Sequence, residues 1–434
     1  MPTITIHRGT RTIGGSSVEI LSGQHRILID LGSPLMQSGG GEIDPERLEN
    51  PSVANKILPD IQGLYKDDIP GFDAVFISHS HMDHCGLLNH IHRDIPVYLS
   101  AGSLELMRIG QVFYPRSSRV YLDTFRVFEH WQPMKVGPFC VTSYLMDHSG
   151  YDASAFLVES ENKKIFYTGD FRGHGRKERL LKRLIEHPIQ GMNCLLMEGT
   201  TLGGQHQAGF ANETEVEKGF CHIFKAQEDA SFVAAAGSNV DRLVSLYKAC
   251  RSAGKTLVLD LYTFYLLDRL KEITPGLPPF KGDHIRIFYI KGHAQRIADH
   301  LGQDVLYRYR SRKIELDEIA TGRCDMVIKL PVHAMTRIAR RMIESAPLTR
   351  VKLIYAMWQG YLEKETAYSD FCSEFNAELV HIHVSGHAWL DDLKKLAIAL
   401  NPETLVPIHT LNAKRFNTLF SNVFQAQDGV PFDI

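Results

Sequence analysis

The sequence predicts an α/β chain built from two units, and three observations carry that prediction. Its 434 residues exceed the usual span of a single hydrophobic core. From Met1 to about Gly199 short apolar strands are separated by turn residues, so strands dominate the first half. From about Asn212 helices and strands alternate, which is the pattern of a parallel sheet flanked by helices.

The chain opens on an alternating strand, Met1 to Arg8, with no signal-peptide pattern. Two further apolar strands follow, Arg26 to Leu31 and Asp73 to Ser78. The second runs directly into His79-Ser80-His81-Met82-Asp83-His84, with a helix start expected at Gly86-Leu87-Leu88. A helix is predicted around Arg179 to His187 and an apolar strand at Cys194-Leu195-Leu196. The second half then reads as helix Glu213 to Ala226, strand Ala230 to Ala236, helix Val240 to Ser252, strand Lys255 to Leu261 and strand Met326 to Leu330.

Composition excludes several classes. The 48 Lys plus Arg against 50 Asp plus Glu leave no global basic excess for a polyanion, so any such site must be local. Seven scattered cysteines without a Cys-x-x-Cys pair disfavour both a disulfide framework and a zinc ribbon, and fit a reducing, cytoplasmic setting. No apolar run is long enough to span a bilayer, so no membrane partner is expected. Gly254-Lys255-Thr256 is not a nucleotide-binding loop, because Ala249 stands where the first glycine is required and a strand follows.

The run from His79 to His84 places four strong metal-ligand side chains in six residues. A polar loop with incidental histidines would explain the composition, but not its place at the end of a buried strand, where such a cluster is costly without a compensating cation. His79 and His81 alternate on one side of an extended segment, while Asp83 and His84 lie beyond, at the next helix. Four ligands overfill one catalytic zinc site, which keeps a position open, so the spacing argues for two ions about 3.5 to 4 Å apart.

His-x-His-x-Asp-His after a core strand resembles the signature of the metallo-β-lactamase fold hydrolases, which implies an αββα sandwich. The resemblance implies that His79, His81 and His148 hold one metal, that Asp83, His84 and His409 hold the other, and that Asp170 bridges them. It makes Asp30 the buried aspartate that orients ligating histidines. A ligand at His409, 25 residues from the last position, requires the chain to return after the α/β excursion, so the second unit is an insertion.

That insertion, with Met197-Glu198-Gly199-Thr200, His383-Val384-Ser385-Gly386-His387 and Val406-Pro407-Ile408-His409, resembles the β-CASP branch, nucleases similar to bacterial ribonuclease J. The implied limits are 1–205 and 376–434 for the sandwich and 206–375 for the inserted domain. The resemblance implies a two-metal phosphodiesterase, endo- or exonucleolytic, that hydrolyses single-stranded RNA in preference to DNA by metal-activated hydroxide attack. Zinc is the expected metal, with manganese as the other candidate, and a homodimer is compatible with the reading. Asp83, Asp170, Glu198 and His387 are the expected catalytic residues; Glu198 orients His387, which assists the leaving oxygen.

Substrate contacts are expected at Ser238 and Asn239 in a strand-to-helix turn, and at His383, Ser385 and Gly386. An ordinary helix cap explains Asn239 equally well. Tyr307 to Lys313 interleaves aromatic and basic side chains, as a single-strand binding surface or a solvated strand edge would. The basic run Arg172 to Arg183 reads as a solvated helix face or as a local attraction for a phosphate backbone. Ser38-Gly39-Gly40-Gly41 reads as a polar loop that could cover substrate.

Two departures stand out. His409-Thr410-Leu411 replaces the Pro-x-His-Gly-Glu ending of ribonuclease J, and Met357-Trp358-Gln359-Gly360-Tyr361-Leu362 stands where that enzyme has a Gly-Asn-Glu segment of its 5′-phosphate pocket. The chain is also expected to be a compact form without that enzyme's C-terminal domain. The rival readings are a small-molecule ester or thioester hydrolase on the same fold, and a non-catalytic RNA-binding relative.

Overall fold

A computed structural model describes residues 1–35, 51–113, 120, 122–202, 209–226, 229–280, 282 and 284–434. The glycine-rich loop Ser38 to Gly41 and the expected boundary at 205/206 lie outside the described residues. The chain forms two compact units, Met1–His206 with Gly386–Ile434, and Gln207–Ser385.

The first unit holds two sheets. One has the order Phe432–Asp433, Thr3–Arg8, Ser17–Ser22, His25–Ile29, Ala74–Phe76, Val97–Leu99, Phe125–Val127. The other has the order Thr404–Ile408, Cys194–Glu198, Lys163–Tyr167, Ser154–Ser160, Phe139–Leu145, Pro133–Val136. Side chains alternate across a strand, so the central strands of each sheet feed two cores. Ile27, Ile29 and Phe76 meet Phe156, Ile165 and Leu196 between the sheets. Leu28, Val75 and Ile77 face outward onto a cluster that includes Leu104 of helix Ala101–Phe113. On the far side Phe166, Leu195 and Met197 pack against Leu181 and Leu184 of helix Arg179–Glu186 and Leu393 and Leu396 of helix Leu390–Leu400. The layering is αββα, the metallo-β-lactamase architecture.

The second unit is a seven-stranded sheet in which every neighbouring pair is parallel, ordered Lys313–Ile314, Ile285–Phe288, Thr256–Asp260, Met326–Lys329, Ser231–Ala234, Lys352–Tyr355, Glu378–His381. Helices connect the strands, as parallel pairing requires. No described helix is long and apolar enough to cross a membrane, and all seven cysteines are free thiols.

Three local expectations are corrected. The helix after the histidine run begins at Met82, four residues before the glycine expected to open it, and ends at Cys85. Tyr307 to Lys313 is not a strand edge: helix Gln303–Tyr309 and a 3₁₀ turn at Arg310–Arg312 precede the short strand Lys313–Ile314. The two tyrosines consequently separate, Tyr307 being 61% exposed while Tyr309 is buried against Phe264 and donates to Asp268. Arg172 belongs to no solvated face either; it is fully buried, 3.2 Å from Asp147.

Candidate metal centre

The strand ends of the first unit deliver the site. Strand Ala74–Phe76 leads to His79, and the short helix Met82–Cys85 carries Asp83 and His84. Gly32 lets the chain pass there, because a Cβ on it would collide with the Asp83 carbonyl. The turn after strand Lys163–Tyr167 delivers Asp170 through Gly169, whose φ of 54° is left-handed and whose Cβ would stand 2.8 Å from the Ser154 carbonyl oxygen. His409 follows strand Thr404–Ile408 with φ of 49°, a strained value for a side-chain-bearing residue that is held by its N–H donating to the Gly9 carbonyl.

Two groups result. The ring nitrogens of His79, His81 and His148 lie within 4.8 Å of one another, and so do the carboxylate oxygens of Asp83 and Asp170 and the ring nitrogens of His84 and His409. Asp170 Oδ2 lies 3.1 Å from His84 Nε2 and 3.9 Å from Nε2 of both His79 and His148, a position between the groups. His409 Nε2 is 3.2 Å from Asp83 Oδ2.

Partners behind the ring fix several imidazoles. Asp30, itself at φ 61°, accepts from the Ser78 N–H, the Ser78 hydroxyl and the Tyr167 hydroxyl, each at 2.7 Å, and from His84 Nδ1 at 2.8 Å. A carboxylate only accepts, so His84 keeps its proton on Nδ1 and turns Nε2 toward Asp170. The Gly386 carbonyl does the same for His148 Nδ1 at 2.6 Å. Thr200 Oγ1 stands 2.9 Å from His409 Nδ1.

Burial, then the neighbouring histidines, hold His79 and His148 well below the ordinary imidazole range, and burial chiefly lowers His81. These rings are neutral and bear a lone pair. His84 is different: burial opposes its charge, but Asp170, Asp83 and Asp30 overcome that and raise it well above the usual range. Burial alone would raise Asp170 and Asp83, yet His409 and His84 hold Asp170 low and His84 and His409 hold Asp83 low.

The donor set fits a metal. His79 Nε2, His84 Nε2 and Asp170 Oδ1 are buried without a hydrogen-bond partner, a costly state for a polar atom unless something else binds it. Asp30, Asp83, Asp170 and Glu198 bring four carboxylates together with no lysine or arginine paired to them among the described residues, the charge that two divalent ions would balance.

Glu198 ends strand Cys194–Glu198, accepts from the Phe171 N–H at 2.9 Å, and holds His387 Nδ1 at 3.2 Å. Burial would lower His387, but Glu198 and Asp170 reverse that and raise it to about 9. Asp170, Glu198, His387 and His409 also lie close enough to be a third metal-binding group, which sequence reasoning did not foresee. The sequence also gave no role to Thr200, Tyr167 or the Gly386 carbonyl. Asp147, next to His148, accepts from Arg172 Nε and the Gly175 N–H, tying that loop to the segment after Asp170.

Gly386 falls in the first unit, whereas Ser238, Asn239, His383 and Ser385 fall in the second. There Asn239 caps helix Val240–Ser252, accepting from the Arg242 N–H at 3.1 Å. The His383 carbonyl accepts from the Phe210 N–H.

Residues 46–230 match the Beta-lactamase superfamily domain. Ribonuclease J of Helicobacter pylori is 24% identical over 419 residues, covering 94% of this chain and 55% of that one. Ribonuclease J of Mycolicibacterium smegmatis is 24% identical over 405 residues, covering 87% and 67% respectively. The chain thus spans about half the length of the Helicobacter relative. A crystal structure of a protein of unknown function from Enterococcus faecalis V583 superposes with a TM-score of 0.77 at 20% identity, covering 99% of both chains, and shares the fold.

Proposed function

We propose that this chain, a ribonuclease J-like protein of the metallo-β-lactamase fold, is a two-metal phosphodiesterase that hydrolyses single-stranded RNA. The observation that carries the reading is Asp170 Oδ2, within 3.1 to 3.9 Å of imidazole nitrogens from both ligand groups. The RNA substrate is inferred from the ribonuclease J relatives. The imidazole-rich ligand set suits zinc, with manganese the second candidate. Bound there, two divalent ions would supply a water activated at neutral pH and an electrostatic clamp on the attacking and leaving oxygens.

The protein's own groups do the rest. Neutral His79, His81 and His148 and the carboxylates Asp83 and Asp170 hold the cations, while Asp30 and the Gly386 carbonyl keep two rings from turning. Glu198 engages His387 Nδ1 and favours the protonated ring, so Nε2–H is the donor for the departing oxygen. Purified protein loaded with zinc or manganese should cut labelled single-stranded RNA faster than DNA of the same sequence. Hydrolysis of a thioester alone would overturn the assignment, and the positions of cuts in end-blocked RNA would separate internal from terminal cleavage.

A further inference from the structure

In the sheet of the second unit the strand order reverses at Met326–Lys329. Thr256–Asp260, Ile285–Phe288 and Lys313–Ile314 lie outward on one side in chain order, and Ser231–Ala234, Lys352–Tyr355 and Glu378–His381 on the other. In an open parallel sheet such a reversal leaves a crevice outside the carboxyl ends of the strands, where ligands bind. Asp260 and Lys329 are the last residues of two neighbouring strands at that edge.

Lys329 is 5% exposed. Its Nζ donates to Thr263 Oγ1 at 2.8 Å and stands 3.5 Å from Asp260 Oδ2, beyond the usual reach of a hydrogen bond. Asp260 does not depend on it: the Thr263 N–H and hydroxyl, each at 2.9 Å, occupy one carboxylate oxygen apiece. An ammonium has three donors, and among the described residues the third N–H of Lys329 meets no protein acceptor. A lysine buried to this degree with one close acceptor is costly unless another acceptor arrives.

The surroundings favour an anion. Helices Leu261–Ile273 and Val332–Ser345 start at this edge, so their positive dipole ends lie there. His293, on helix Lys291–Leu301, has Nδ1 3.6 Å from Asp260 Oδ1. Burial lowers that imidazole; Asp260 raises it, while Arg296, Lys329 and His333 lower it further, so three basic side chains crowd one carboxylate. Gly237, in the turn after strand Ser231–Ala234, comes so near that a Cβ on it would stand 3.2 Å from Thr263 Oγ1 and 2.7 Å from the Tyr262 ring.

We infer that Lys329, with His293 and Arg296 at the mouth, binds a phosphate group at the carboxyl edge of this sheet. A tetrahedral oxyanion offers acceptors in several directions, which suits donors that come from a strand end and from a helix better than a planar carboxylate does. All these residues belong to the second unit, and none is shared with the metal centre. Orthophosphate, a mononucleotide or one link of an RNA backbone carries the group; only the last source rests on the ribonuclease reading.

Equilibrium dialysis of labelled orthophosphate against the full metal-loaded chain tests the site. Lys329→Met should weaken this binding about ten-fold or more at unchanged metal content. Equal binding by the native chain and Lys329→Met would place all the phosphate on the metals and overturn the inference. Should Lys329→Met fail to fold, the double change His293→Ala with Arg296→Gln decides, since binding as tight as the native chain's again overturns the site. Competition separates the sources. Release of orthophosphate by excess phosphorothioate single-stranded RNA, with a raised KM for RNA in the variant, assigns backbone phosphate; retention under RNA and release by a mononucleotide assigns a small ester. If the native chain cleaves no RNA, the ribonuclease reading fails while the phosphate measurement stands.

Discussion

Two buried charge clusters, one in each unit, show what separates a functional site from a structural one. In the second unit Glu213 is buried, but Arg242 Nε donates to it at 2.9 Å, Ser245 Oγ at 2.7 Å, and Arg242 Nη1 reaches the Ala356 and Ile382 carbonyls. The cation is permanent and covalently part of the chain. In the first unit Asp30, Asp83, Asp170 and Glu198 meet histidines and neutral N–H and O–H donors, with no lysine or arginine paired to them among the described residues, and His79 Nε2, His84 Nε2 and Asp170 Oδ1 are buried without a hydrogen-bond partner. Burial of charge is common to both; an internal arginine closes one cluster, and its lack leaves the other requiring a cation from solution.

The sharpest way to break that contrast is Asp170→Asn, which removes the carboxylate lying between both ligand groups. Metal content by elemental analysis should fall from two ions to about one or fewer, with activity lost; a full complement of two ions would show that Asp170 bridges nothing. His387→Ala should slow RNA cleavage by about 10² to 10⁴-fold while two ions per chain remain. Loss of an ion would instead make the group with Asp170, Glu198 and His409 a true binding position.

Arg242→Met tests the opposite pole. It should cost about 3 to 5 kcal/mol in urea unfolding by leaving Glu213 unpaired, with metal content untouched, and Glu213→Gln added to it should restore part of the loss. Glu19 offers a second internally closed case: Arg26 Nε and Nη2 donate to it at 2.7 and 3.0 Å, with His7 Nε2 at 2.9 Å. Burial would raise this carboxyl, but His7 and Arg26 hold it down at about 2. A depressed acid stabilises the fold above its ordinary value near 4.5 and loses that contribution as pH falls toward 2. Glu19→Gln should therefore flatten acid unfolding over that window, by about 3 kcal/mol at most; an unchanged acid limb would show the pair contributes nothing. Thr200→Val, the mildest change, should weaken metal binding about 10- to 100-fold in chelator competition without unfolding the chain.

Much of this was legible in the sequence for a local reason. Continuous apolar runs such as Arg26 to Leu31 and Asp73 to Ser78 fix which residues end a buried strand, and Asp30 and His79 sit there. Tyr307 to Lys313 misled because alternating residue types mimic a strand, whereas burial of Tyr309 against Phe264 selected a helix. Lys329 was visible as a residue, but its buried place beside Asp260 and Thr263 was not.

The sequence by itself determined which side chains can bind metal and that they sit at strand ends, because ligand chemistry and side-chain alternation are properties of a few consecutive residues. Only the tertiary structure decided which atom of each faces the centre. That choice depends on partners remote in the chain: Asp30 for His84 across 54 positions, Thr200 for His409 across 209, and the Gly386 carbonyl for His148 across 238. A hydrogen bond acts over about 3 Å, so until folding closes those separations no residue's type can reveal which nitrogen keeps its proton.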